Sequence, residues 1–234
     1  MADSPQSKIT ITTDGPYEVS KDIPLHKENI TCDGEGTSVG WSKAGRVDTE
    51  NGEDTYKLCR CGHAKTKPFC DGTHMDVEFC GREHADRPPY VESARHIKGR
   101  GVDLLDDENL CVGARFCDRD GSIWRDIAAA DDPEVAQKVI DEACNCPGGR
   151  LTIAKKDGTL IEPELSKEIS LVNDPINNMR GPLWVKGGVK VEGAHGEKYE
   201  TRNRVALCRC GESTNMPYCD GSHYNCEHME GQDE

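Results

Sequence analysis

Residues 59–74 carry the pattern Cys59-x-Cys61-x8-Cys70-x3-His74, and the same pattern returns at 208–223 as Cys208-x-Cys210-x8-Cys219-x3-His223. Each copy gathers three thiols and one imidazole in a stretch little longer than a loop and one helical turn. Thiolate and imidazole are the ligands that borderline and soft transition metals take, so the repeat marks two metal sites. Cys59 and Cys61 alternate with Arg60, which on an extended strand sends both thiols to one face. Pro68 stiffens the return, and Asp71-Gly72 makes a tight turn. Asp71 is placed to cap a helical turn that begins near Thr73 and carries His74, aiming backbone N–H groups at an anionic centre. A Cys3His zinc site is the competing reading, although zinc pairs are commonly spaced Cys-x2–4-Cys and a one-residue gap is less usual.

The elements that must hold these ligands repeat as well. Leu58-Cys59-Arg60-Cys61-Gly62 matches Leu207-Cys208-Arg209-Cys210-Gly211, and Pro68-x-Cys70-Asp71-Gly72 matches Pro217-x-Cys219-Asp220-Gly221. Upstream, Gly15-Pro16-Tyr17-Glu18-Val19 corresponds to Gly181-Pro182-Leu183-Trp184-Val185, and Ile30–Gly34 resembles Val189–Gly193. Short β-leaning runs punctuated by Gly and Pro predict strands of a small antiparallel sheet in each copy. The first copy has a polar insertion near Gly45–Gly52, read as a longer hairpin. The segment between the copies is different. Gly101–Leu105 reads as a strand, and 133–144 as a helix with Asp132 at the N-cap and Pro133 in the first position. Val135, Ala136, Val139, Ile140 and Ala143 form its apolar stripe. Leu151–Lys155 and Thr159–Glu162, joined by Asp157-Gly158, read as a hairpin. The expectation is an α+β chain with three units, 1–88, 89–166 and 167–234, the outer two alike.

The chain of 234 residues has 35% hydrophobic and 5% aromatic content, so apolar burial alone stabilises each small unit weakly and bound metal is a natural supplement. A net charge of −14 disfavours nucleic acid and anionic membrane surfaces as partners, and would steer in a basic face of another protein. No stretch approaches the roughly 18 apolar residues of a membrane span. The opening Met1-Ala2-Asp3-Ser4-Pro5 lacks the build of a signal peptide, so a cytoplasmic location is expected. In that compartment disulfides are rare, and thirteen cysteines read as metal ligands rather than staples.

The paired motif resembles the signature of the CDGSH iron–sulfur, mitoNEET-like family: Cys-x-Cys-x2-Ser/Thr-x3-Pro-x-Cys-Asp-Gly-Ser/Ala/Thr-His. Residues 208–223 fit at every position, with Ser213, Pro217 and Ser222 in place, and residues 59–74 fit except at Ala64. That departure touches hydrogen bonding around the first site rather than ligation itself. The resemblance implies a [2Fe–2S] cluster at each motif. One iron would be held by Cys59 and Cys61 and the other by Cys70 and His74; in the second copy the pairs are Cys208 with Cys210 and Cys219 with His223. Single-motif members pair as homodimers, so two motifs in one chain imply an internal pseudo-twofold pair of β-rich lobes in a monomer. Exchanging a thiolate for neutral imidazole should raise the potential and make the cluster acid-labile. Both sites are expected to lose their clusters as pH falls through about 6.5 or somewhat below.

Between the motifs, Cys111 and Cys117 occupy the first and third places of a bacterial ferredoxin run, with Ala114 in the second and Cys146-Pro147 as the remote Cys-Pro. This part resembles divergent single-cluster ferredoxin-like domains. Two arrangements stay open: Cys111, Cys117 and Cys146 hold a [3Fe–4S] cluster or a [4Fe–4S] cluster with one open iron, or Cys144 completes a four-thiolate [4Fe–4S] site. A fold that keeps these cysteines without a cluster is the bland alternative. Cys32, aligned with Val191, reads as a strand core residue. His63, His84, His96, His195 and His228 have no repeated partner and read as exposed. Trp41, Trp124 and Trp184 read as core or interface. No catalytic acid, base or nucleophile set is legible, which favours a non-enzyme. The expected function is electron transfer with a redox protein partner, or delivery of [2Fe–2S] units to an apo-protein acceptor.

Overall fold

The computed structural model describes residues 7–119 and 121–233; Met1–Pro5, read above as lacking a signal peptide, lie outside the described residues. The first copy forms β1 (Lys8–Ile11), β2 (Tyr17–Ser20), β3 (Leu25–Cys32), β4 (Ser38–Val47) and β5 (Thr55–Leu58). The middle segment forms α1 (Tyr90–Ser93), β6 (Arg95–Lys98), β7 (Val102–Asp106), α2 (Ile123–Asp126), α3 (Pro133–Cys144), β8 (Leu151–Lys155) and β9 (Leu160–Ile161). The second copy forms β10 (Glu168–Asp174), β11 (Met179–Lys186), β12 (Lys190–Glu192) and β13 (Arg204–Leu207). The class is α+β, as the sequence implies.

The two copies exchange strands. One sheet has the order β12-β1-β2-β5 and the other β13-β11-β10-β3-β4. In each, three antiparallel strands of one copy are joined at β1 or β10 by a parallel strand from the other: β12 on β1 (Ile9 opposite Val191), β3 on β10 (Ile169 opposite Leu25). Equivalent registers recur, Tyr17 facing Leu58 in one sheet and Leu183 facing Leu207 in the other. This reciprocity is an internal pseudo-twofold axis. The two sheets share one core, in which Ile9, Ile11, Tyr17, Val19 and Leu58 pack with Ile169, Leu171, Leu183, Val185 and Leu207. Burying each Ile, Leu or Val stabilises by roughly 1.5–3 kcal/mol. Lys186 on β11, 3% exposed, reaches Glu28 on β3 and Glu168 on β10, each at 2.7 Å, and ties the exchanged strand to its host sheet.

The symmetry breaks at β4 and at the middle segment. The polar insertion of the first copy is not merely a loop: β4 runs its full length along β3 as an edge strand with no counterpart in the second copy. Its exposed, charged side chains suit an edge that must not pair further. The second-copy sheet is covered on its far face too. There Ile30, Val172, Trp184 and Ala206 pack with Val112, Ala114 and Phe116 of the middle segment. Burial on both faces explains why β11 and β13 are buried at almost every position while β1 and β2 alternate. In the middle segment α3 spans Pro133–Cys144 with Asp132 accepting a hydrogen bond from Glu134 N at 2.8 Å, as its capping pattern predicts. Its stripe packs on Leu104, Leu151 and Ile153 of a sheet with order β6-β7-β8-β9. Among the described residues no helix is long and apolar enough to cross a membrane.

Candidate iron–sulfur sites

Each motif lies at the end of a strand and folds back on it. Cys59 N donates to Pro68 O (2.8 Å) and Cys70 N to Lys57 O (2.9 Å); in the second copy Cys208 N donates to Pro217 O (2.8 Å) and Cys219 N to Ala206 O (2.9 Å). Asp71 then locks the loop, its carboxylate accepting from Thr73 N at 3.0 Å and from Lys65 N at 2.7 Å. Asp220 does the same for Ser222 N (3.0 Å) and Thr214 N (2.8 Å). The helical turn expected near Thr73 is a single 3-10 turn, Thr73–Met75, and its counterpart is Ser222–Asn225.

The ligand atoms stand in pairs. Cys59 Sγ and Cys61 Sγ are 3.7 Å apart, and Cys208 Sγ and Cys210 Sγ 3.6 Å. Cys70 Sγ lies 3.4 Å from His74 Nδ1, and Cys219 Sγ 3.4 Å from His223 Nδ1. Two tetrahedral ligands on one iron, with bonds of about 2.0–2.3 Å, must sit about 3.5–3.8 Å apart, so each pair fits one metal centre through Nδ1 on the histidine side. Among the described residues no three His, Cys, Asp or Glu converge as a single ion would need. Backbone amides point into the sites, Glu212 N toward Cys210 Sγ and Gly221 N toward Cys219 Sγ, both at 3.5 Å. A hydrogen bond from the Cys61 thiol, reinforced by the amides of Ala64 and Gly62, holds the Cys59 thiol below its ordinary value, and Cys210 with the amides of Ser213 and Gly211 does so for Cys208.

Arg60 and Arg209, between the paired cysteines, went unassigned in the sequence, although their repetition is a signal. Strand alternation turns them away from the thiols and inward. Arg60, 1% exposed, donates to Gly15 O (2.7 Å), Gly81 O (2.9 Å) and Thr12 O (2.8 Å). Arg209 donates to Gly181 O and Val172 O and pairs with Asp233 at 2.7 Å. Arg60 braces its ligand loop against the β1–β2 connection and Arg209 against β10 and β11.

The two sites stand back to back. A Cβ on Gly62 would lie 2.6 Å from Cys210 O, and one on Gly211 2.7 Å from Cys61 O. Tyr17 of the first copy donates to Cys208 O of the second at 2.8 Å. His228 corrects the expectation of an exposed histidine: it is half-buried, its Nε2 is 2.8 Å from Cys210 O, and it stacks on exposed His63 at 4.3 Å.

The sites differ in exposure. Cys208, Cys210, Cys219 and His223 are all 2% exposed or less. Cys59 and Cys61 are buried, but Cys70 and His74 are half-exposed. Burial, helped by the Arg209 cation, pushes the His223 imidazole down to about 4. The missing hydroxyl at Ala64 is also explained. Ser213 Oγ donates to Tyr218 O (2.6 Å) and accepts from Asn215 N (3.1 Å), closing the loop rather than touching a ligand. In the first copy Thr66 Oγ1 reaches Phe69 O only at 3.5 Å.

The middle segment brings Cys111, Cys117 and Cys146 to the wall of one small cavity, with Ala114, Phe116, Arg150 and Leu151. Burial, then the neighbouring Cys146, pushes the Cys117 thiol up to about 12. Cys144, the alternative fourth ligand, does not line this cavity; it is half-buried at the end of α3 with Arg204 and Glu162 as charged neighbours. The cavity abuts the second motif. Gly221 has its Cβ direction 3.3 Å from Cys111 O, Tyr224 packs over Gly113 and hydrogen-bonds Gly113 O at 3.2 Å, and Cys219 packs with Val112 and Ala114.

The comparisons with known proteins agree with this geometry. Residues 14–75 and 180–224 match the family model described as iron-binding zinc finger, CDGSH type. Residues 97–156 match the model described as divergent 4Fe-4S mono-cluster. No curated protein and no solved structure matches the chain. The chain thus matches the CDGSH iron-binding model over two motifs, with a match to the divergent 4Fe-4S mono-cluster model between them.

Proposed function

We propose that this iron–sulfur protein carries a [2Fe–2S] cluster at each CDGSH motif and a third cluster in the middle segment, and acts in electron transfer. Cys59, Cys61, Cys70 and His74 would hold the first, Cys208, Cys210, Cys219 and His223 the second, and Cys111, Cys117 and Cys146 the third. Clusters of this kind supply one-electron chemistry. The paired spacing of the ligand atoms supports two irons per motif, because a single zinc would need four ligands around one point.

The observation that carries the reading is contiguity. The cavity wall at Cys111 touches the second motif at Gly221, and the second motif touches the first through Gly62, Gly211 and their opposing carbonyls. The ligand sets thus follow one another in the order middle, second, first. The protein's part is to hold these loops in contact, to surround the second site with apolar and amide groups, and to open the first site through His74. The net charge of −14 suits a redox partner protein with a basic face. Iron, acid-labile sulfide and EPR spectra of protein purified without oxygen test the reading. Iron above about four per chain with matching sulfide and a third signal supports it; zinc without sulfide overturns it.

One observation favours a second reading, delivery of [2Fe–2S] to an apo-protein acceptor from the first site. Half-exposed His74 is flanked by Met75, 74% exposed, and Val77, 41% exposed, an apolar edge that an acceptor could cover. Under this reading His74→Cys slows transfer sharply while reduction by a donor persists; unchanged transfer contradicts it.

A further inference from the structure

We propose that the middle site is built for a three-iron cluster, with Cys111, Cys117 and Cys146 as its thiolates and Ala114 standing where a fourth ligand would be needed. The inference rests on the reading that the middle segment holds a cluster, and it goes against the four-iron description of the matching family.

The cavity is lined by the run from Cys111 to Cys117, then Cys146, Arg150 and Leu151. Three thiols surround a space without converging on a point, as one thiolate per iron requires. In the place of a fourth ligand stands Ala114, 7% exposed, whose methyl offers iron nothing. Val112, Gly113, Phe116 and Leu151 bring no side-chain oxygen, nitrogen or sulfur either. Arg115 is drawn out of the site by Asp174, its Nη1 and Nη2 lying 2.7 and 3.1 Å from the carboxylate. Cys144, the sequence's other thiol, faces Arg204 and Glu162 instead.

Arg150 is the remaining polar group, and it is fixed. Its Nε donates to Asp106 Oδ1 at 2.7 Å, its Nη2 reaches Asp106 Oδ2 at 3.3 Å, and its guanidinium lies 5.2 Å over the Trp124 ring. It shares the cavity wall with Cys111, and its charge bears on that thiol. A guanidinium has five donors and no acceptor and stays cationic. It cannot ligate iron, so it leaves the site with three thiols as ligands.

The test is iron and acid-labile sulfide per chain on the full-length protein purified without oxygen, with EPR of the oxidised state, for the native protein and for Ala114→Cys. The expected result is about seven irons and a three-iron signal in the native protein, rising to about eight with loss of that signal in Ala114→Cys. Eight irons in the native protein overturn the proposal but leave a third cluster in place. Four irons overturn both, since the middle segment would then be an empty scaffold. Should Ala114→Cys fail to fold, Cys144→Ser decides: it keeps native iron content and spectrum if the proposal holds, and loses the middle signal if Cys144 is a ligand.

Discussion

Gly211→Ala is the most direct perturbation of the contact between the two motifs. Gly211 has φ +88 and an ideal Cβ there lies 2.7 Å from Cys61 O, 3.1 Å from its carbonyl carbon and 3.2 Å from its Cα. The left-handed backbone alone costs an alanine about 1–2 kcal/mol. Relieving the contact demands a shift of roughly half an ångström in the backbone of the opposite ligand loop, which adds about 1–3 kcal/mol. Gly188→Ala is the control. It lies in the same copy at φ +73, yet its nearest neighbour is Thr201 Cγ2 at 3.9 Å, so only the backbone cost applies. For a chain of this size a loss of 1 kcal/mol lowers Tm by about 2–4 °C. Gly211→Ala should therefore unfold roughly 5–15 °C early, and Gly188→Ala a few degrees early. The assay is thermal unfolding of the iron-loaded protein, followed both by far-ultraviolet circular dichroism and by visible absorbance. Equal destabilisation by the two variants would refute the close approach of the ligand loops.

Three other outcomes follow from the same structure. Acidification should bleach the visible absorbance in two steps, the solvent-reached first site before the second. Burial keeps His223 neutral, so its stabilising contribution is complete above about 6.5 and is lost as pH falls through about 4; His223→Cys should remove the later step, and a single step in the native protein contradicts the asymmetry. Lys186→Met should cost about 3–5 kcal/mol in denaturant unfolding, because it strands buried Glu28 without its partner, and a loss under 1 kcal/mol would mean the pair does not hold the exchanged strand. Ser213→Ala should cost about 1–3 kcal/mol by leaving Tyr218 O and Asn215 N without partners, whereas Ala64→Ser should cost no more than about 1 kcal/mol; the two differ measurably in cluster-loss rate on heating.

What the sequence made legible was local. The repeated ligand spacing identified the two motifs because short-range chain geometry fixes which side chains can meet, and the Asp132-Pro133 cap placed α3 to the residue. The strand exchange was invisible, since β3 and β12 read as ordinary third strands and nothing local says which sheet receives them. The buried role of Arg60 and Arg209 was hidden behind their charge. The longer first copy and Ala64 predict unequal sites, but the form of the inequality arises only when the middle segment covers the second-copy sheet and leaves His74 open. Cys146 carries the Cys-Pro signal and Cys144 reads only as a possible further ligand; the end of α3 turns the two to different neighbours, which packing alone reveals.

The central claim is that the ligand sets stand in series, middle to second to first. EPR of the fully reduced, iron-loaded protein tests it through spin–spin interaction. The account predicts that the second-motif signal is broadened by both neighbours, and that Cys219→Ser, which removes the second cluster, leaves the first-motif signal narrow and uncoupled. Signals that add as isolated centres in the native protein, or a first motif still coupled to the middle site in Cys219→Ser, would contradict it.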